Sequence, residues 1–218
     1  MRFKIQKTSY STIIFSAMVT YIGFYAWRIM FNNFAVEVFD ASPTDVGLIQ
    51  AAREIPGLLA FGAGALAVYL SESRIASFSI VTVGLGLILC GLSPSISVLG
   101  IATVLMSFGF HYFEPTNSSQ LLNMAKSEEL GRAQGRLRSY EAIAGLVGAA
   151  LIFGLSFVLD YRYTFYLIGF AIVAIGIYLI FALPTNRAKT EKRKDTLLQS
   201  SVLYKSAEDI LLQKYKLQ

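Results

Sequence analysis

Six long apolar stretches separated by short polar connections run from about residue 11 to residue 183. A helix rises about 1.5 Å per residue and the hydrocarbon core of a bilayer is about 30 Å thick, so each stretch is long enough to cross it. Composition agrees. Of the 218 residues, 55% are hydrophobic and 15% charged, against about 45–50% and about 25% for soluble domains. The stretches read as spans over about 10–38, 46–70, 75–93, 96–124, 137–159 and 163–183. The expected fold is an all-α membrane protein: a short N-terminus (1–9), one six-helix bundle (10–184) and an amphipathic or flexible tail (185–218).

Charge sets the expected orientation. Arg2, Lys4, Lys7, Arg74, Lys126, Arg132, Arg136, Arg138 and the tail from Arg187 fall on one side of the stretches, and only Arg162 on the other. Lys and Arg accumulate on the cytoplasmic side, which predicts that both termini are cytoplasmic. The same segregation argues against nucleic acid as a partner. A net charge of +5 is spread between apolar spans rather than gathered into a basic patch. The lipid bilayer accounts for it better. The basic start, Met1–Lys7, leads into a run that contains Trp27 and Arg28 and lacks a small-x-small cleavage site, so it reads as a retained first span.

Enzyme chemistry finds no support. There is one cysteine (Cys90, inside an apolar run) and one histidine. No phosphate-cradling glycine loop, serine elbow or metal-ligand spacing is present, so neither a metal nor a cofactor is expected.

The informative residues are the charged ones at membrane depth, where a charge is costly and faces a partner or a watery cavity. In the first stretch Ser16, Thr20, Trp27, Arg28 and Asn32 fall near one helical face; in the second, Gln50, Arg53, Gly57 and Ala60 do, with Glu54 adjacent. Arg28 and Arg53 then lie at comparable depth, two cations able to attract an anionic group. Trp27, Arg28, Asn32 and Arg53 are accordingly the candidate substrate-binding residues, with packing neutralised by Glu54 or Glu37 as the alternative. In the fourth stretch Ser107, His111, Glu114 and Ser118 recur at spacings of four, three and four. His111 and Glu114 are candidates for carrying a coupling proton, because free histidine titrates at about 6.5. Alternatively, they satisfy groups freed by Pro115. Arg74, Arg138 and Glu141 are candidate gating residues, or else a helix-end ion pair. Small residues mark two expected close helix contacts: Gly57, Ala60 and Gly64 in the second stretch, and Gly145, Gly148 and Ala149 in the fifth.

The passage from the fourth stretch through Phe113-Glu-Pro-Thr-Asn-Ser-Ser119, then Glu128-Glu-Leu-Gly-Arg-Ala-Gln-Gly135, then Tyr140-Glu-Ala-Ile-Ala-Gly-Leu-Val-Gly-Ala149, resembles the helix-four to helix-five region of major facilitator superfamily transporters. Val46-Gly-Leu-Ile-Gln50 and the long charged segment after the sixth stretch are similar as well. The resemblance implies the N-terminal half of a secondary active transporter for a small solute. Such a half works by alternating access with a second six-helix half, in a membrane such as the bacterial cytoplasmic membrane. Departures are specific. Gly64, Leu66 and Ala67 fit the start of the family's loop after helix two, but Val68 stands where an aspartate is usual, and only Arg74 keeps the basic character. The arginine often found upstream of Gly109 and the glycine-proline signature of many drug antiporters are missing, so drug efflux gains no support. The segment Leu197–Leu217 reads as an amphipathic surface helix or as a linker towards a seventh span. Two other organisations fit the same pattern: a homodimeric half-transporter, and a six-span scaffold or assembly protein that transports nothing.

Overall fold

The computed structural model describes residues 2–125 and 127–183, with side chains for 10–125 and 128–183. The predicted tail and its amphipathic segment lie outside the described residues. Helix α1 (Arg2–Phe39) is followed by three short helices, α2 (Pro43–Arg53), α3 (Ile55–Leu58) and α4 (Phe61–Leu66). Then come α5 (Glu72–Leu92), α6 (Ile96–Met124), a 3-10 turn over Ser127–Glu129, α7 (Leu130–Leu155) and α8 (Tyr161–Ala182).

Among the described residues, five helices are long and apolar enough to cross a membrane: Tyr10–Phe39 of α1, and α5, α6, α7 and α8. The second apolar stretch is not one of them. It breaks at Glu54 and again near Ala60, and its connections turn through i→i−3 bonds such as Glu54 N to Ala51 O, Ala60 N to Gly57 O and Gly62 N to Leu59 O, at 3.1, 3.2 and 2.9 Å. Pro56 cannot donate to the preceding turn, and three glycines over 57–64 weaken what remains. The fifth stretch differs in the other direction. Its helix begins at Leu130, not near 137, because the polar run before Leu137 contains no proline to stop it.

Helix starts carry their own caps. The Ser42 hydroxyl accepts from the Asp45 backbone N–H at 3.2 Å, while the Asp45 carboxylate accepts from the Ser42 N–H at 2.9 Å and its hydroxyl at 2.6 Å. Pro43 occupies the first turn, where no donor is needed. The Asp160 carboxylate accepts from Tyr163 N at 2.9 Å and starts α8. Before α2 the chain reverses through Asp40 at φ 52°, a left-handed conformation that Asp tolerates better than most residues.

Helix α5 is the hub, packed against α6 along one side and α8 along another; α1 packs chiefly on α7, and α2–α4 run along α6. Glycine sets the closest approaches. A Cβ on Gly86 would lie 2.5 Å from the Met106 Cα, and one on Gly84 would lie 2.8 Å from the Gly169 carbonyl oxygen. Of the small-residue faces expected from sequence, Gly145 and Gly148 do meet α1, at Tyr25 and Ile22, whereas Gly64 meets nothing and Ala149 is exposed.

The two ends of α5 are tied differently. At its start, Glu72 accepts from Ser119 Oγ at 2.7 Å and Asn123 Nδ2 at 3.2 Å, both on α6. At its end, Arg162 of α8 donates to the carbonyls of Gly91 and Ser93 at 2.7 and 2.8 Å, with its guanidinium over the rings of Phe34 and Phe39. A cation on the last carbonyls of a helix satisfies acceptors that have no intrahelical donor.

Candidate functional site

The residues singled out above gather in two clusters. The first lies where α2 stops. Arg53 ends α2, and Glu54 is both the last cap of α2 and the first of α3. On an intact helix adjacent side chains point about 100° apart and do not meet. Glu54 keeps near-helical backbone angles at the junction, φ −83° and ψ −13°, yet its carboxylate reaches the Arg53 guanidinium and pairs with it. Arg53 also donates from Nε to Gln50 Oε1 at 3.2 Å, and its Cζ lies 5.4 Å from the Trp27 ring centre and 5.9 Å from that of Phe24. Its side chain is 16% exposed, that of Glu54 55%.

Helix α6 closes this cluster. Ser107 Oγ donates to the Arg53 carbonyl at 2.6 Å, taking up an acceptor that the helix break leaves free. The His111 ring lies against Gly57, where an added Cβ would come within 3.1 Å of it. Its Nε2 is 3.6 Å from Glu54 Oε2 and is a buried atom with no hydrogen-bond partner among the described residues. One residue on, Tyr112 donates to the Leu59 carbonyl at 3.1 Å, a second bond from α6 beside the one that carbonyl accepts from Gly62 N. Trp27 is fully buried and donates from Nε1 to Thr103 Oγ1 at 3.2 Å.

The second cluster joins α1, α6 and α7 around Arg138. Its Nη1 donates to Glu141 Oε2 at 2.8 Å, to Glu114 Oε1 at 3.1 Å and to the Tyr21 hydroxyl at 3.1 Å. Tyr21 in turn donates to Glu114. The Glu141 side chain is 8% exposed, while Arg138 reaches it from a half-open position at 54%. One guanidinium therefore holds two carboxylates and a phenol from three helices.

Several sequence expectations change. The stripe on α1 splits: Ser16, Thr20 and Trp27 are buried, but Arg28 and Asn32 are exposed, and the Arg28 guanidinium sits over Tyr25, 6.0 Å from its ring centre. The step of about 100° from Trp27 to Arg28 carries the chain from core to surface. Arg28 and Arg53 are thus not two cations on one aromatic face; Arg53 has that face to itself. His111 and Glu114 also part. His111 turns to the Glu54 break, and Glu114 joins Tyr21 and the residues named as gates. Of those gates, Arg138 and Glu141 are joined, and Arg74, half-buried near the start of α5, is not part of either cluster. Tyr21, Phe24, Gln50 and Thr103 complete the clusters. Only Gln50, on the Arg53 stripe, carried a sequence signal.

The profile of the Major Facilitator Superfamily matches residues 13–212. No curated protein matches the sequence.

Proposed function

We propose that this chain, which belongs to the major facilitator superfamily, moves its solute by proton-coupled alternating access together with a second six-helix bundle. The membership makes it an integral multi-pass membrane protein of solute transport; the family's members are transporters, not enzymes, and bind small solutes in the bilayer. The finer reading rests on one observation, the Arg138 network. A guanidinium shared by Glu114 and Glu141 has one counter-charge too many, so one carboxylate can take up or release a proton without leaving Arg138 unpaired. Tyr21, bonded to both Glu114 and Arg138, offers the path between α1 and the other two helices.

In this reading Glu114 and Glu141 exchange the proton, and Arg138 holds α1, α6 and α7 together until one of them is neutralised. Arg53 faces the solute with the buried Trp27 ring behind it, with Arg28 and Asn32 on the exposed flank of α1 towards the partner bundle and Arg74 at the cytoplasmic edge. His111 acts at the helix break. Both termini lie in the cytoplasm, and the membrane is a bacterial cytoplasmic membrane.

The test uses membrane vesicles containing the chain with whatever bundle copurifies with it. An inward proton gradient is imposed and solute accumulation is followed by mass spectrometry. Glu114→Gln and Arg138→Gln are each expected to abolish gradient-driven accumulation while the protein remains in the membrane. Accumulation that persists after the gradient is collapsed overturns proton coupling. Full activity of both variants removes the network from the mechanism, and recovery of the chain alone or as a self-dimer overturns the second bundle.

A further inference from the structure

The cluster at the break of the second stretch has features that a structural ion pair leaves unexplained. The Arg53–Glu54 pair joins neighbouring residues at the junction of α2 and α3. It stands in an apolar stretch, where an apolar pair would hold the packing with less desolvation. Hydrogen-bonding capacity is left over on both partners. Arg53 donates through Nε and Nη2, and among the described residues Nη1 has no acceptor. On the other side, Glu54 Oε2 and the buried, unpartnered His111 Nε2 stand 3.6 Å apart. The cluster thus offers a spare donor on Arg53 and two neighbouring acceptors on Glu54 and His111, since a neutral imidazole protonated at Nδ1 accepts at Nε2. Broken, Gly/Pro-interrupted helices are also where transporters expose such groups to a ligand.

Resting on the transport reading above, we infer that this cluster is the solute site and that the solute is a zwitterion of the α-amino-acid type, its carboxylate held by Arg53 and its ammonium by Glu54 and His111.

Charge balance selects that class. Arg53 and Glu54 cancel, so a zwitterion opens the pair and gives each member a new partner, with no net charge added to the site. A simple anion would satisfy Arg53 and leave the Glu54 carboxylate without its partner; a simple cation would strand Arg53, the more buried of the two at 16% exposed, which is the more expensive outcome. A guanidinium takes a carboxylate through two parallel N–H bonds, and an ammonium needs several acceptors close together. The rings of Phe24 and Trp27, which carry the Arg53 guanidinium, and Phe110, stacked on Phe24 at 4.1 Å, make the surroundings apolar and aromatic. They suit an apolar side chain. All these groups belong to α1, α2, α6 and the Glu54 break, so binding does not require the second bundle.

The experiment measures equilibrium binding to the full chain in nanodiscs. The probes are L-leucine, its carboxylate-free analogue 3-methylbutan-1-amine and its amine-free analogue 4-methylpentanoate; the same sets are built for phenylalanine and methionine. The expected result is that at least one amino acid binds at least tenfold more tightly than both of its single-charge analogues. Glu54→Gln should then level the amino acid with its carboxylate analogue, and Arg53→Gln should level it with its amine. The wild-type comparison stands even if a variant fails to fold. Equal binding of a single-charge analogue, or no binding of any probe, overturns the zwitterion site. If vesicle uptake still depends on Arg138 in that case, the transport reading survives and only the solute class falls; if uptake is absent too, both fall.

Discussion

The α5 hub and the broken α2–α4 segment show two ways to keep a backbone satisfied in an apolar environment. Around α5 the helices keep their own hydrogen bonds and gain by packing; Gly86, Gly84 and Gly169 let main chains approach until a single Cβ would collide. Along α2–α4 the ladder is interrupted, and side chains from α6 support it, Ser107 taking up the Arg53 carbonyl and Tyr112 adding a second donor at that of Leu59. The hub is held by shape, and the broken segment by a few polar contacts that another partner can exchange. Arg53 and Glu54 of the candidate solute site sit on the second, with His111 of α6 against it.

The sharpest way to break this contrast is to add one methyl group to the hub. Gly86→Ala is expected to cost about 3 kcal/mol, the upper end for overpacking, because the obstacle is the Met106 backbone rather than a movable side chain. The thermal midpoint of the purified protein should fall accordingly. Gly64→Ala in α4, with nothing within 4 Å, serves as the control and should leave the midpoint unchanged or slightly raised. Similar losses in both would mean that the hub is not closer packed than the broken segment.

A smaller effect follows from these α6 contacts. Tyr112→Phe keeps the ring and removes one of the two donors to the Leu59 carbonyl, which is expected to cost about 1 kcal/mol. The loss should be local: hydrogen exchange rises over residues 57–66 and stays unchanged in α5. A uniform rise would assign Tyr112 to the common core.

The smallest concerns the start of α2. The Ser42 hydroxyl, and then its backbone N–H, hold the Asp45 carboxyl below the ordinary carboxylate range. Because the folded-state value is depressed, this cap contributes above the ordinary carboxylate pKa and is lost as pH falls through Asp45's own value. Protection in the first turn of α2, taken relative to the intrinsic exchange rate at each pH, should fall roughly fivefold on acidification, an effect that Ser42→Ala removes by abolishing the hydroxyl bonds at every pH. No comparable acid sensitivity is expected in the middle of α5.

How much of this was legible in the sequence varies residue by residue. Length and apolarity marked α1, α5, α6, α7 and α8 because those properties are local. The same criterion failed over 46–70, where hydropathy is high but Pro56 and the glycines decide whether a helix continues. Helical spacing brought His111 and Glu114 to one face, yet an arc wide enough to hold both also touches two different neighbours. Arg138 and Glu141 were paired by their i,i+3 spacing. That Tyr21 and Glu114 join them could not be read, since they stand 117 and 24 residues from Arg138 and no short-range pattern links them.

By itself the sequence determined that this chain lives in a membrane, five of the stretches that carry it there, and which family it belongs to. Only the tertiary structure decided which of the chain's charges meet. Apolar length is a property of neighbours along the chain, whereas an ion pair depends on how each helix is rotated and where it breaks. One residue's turn took Arg28 away from the aromatic face, and the end of one short helix set Arg53 upon it, beside Glu54.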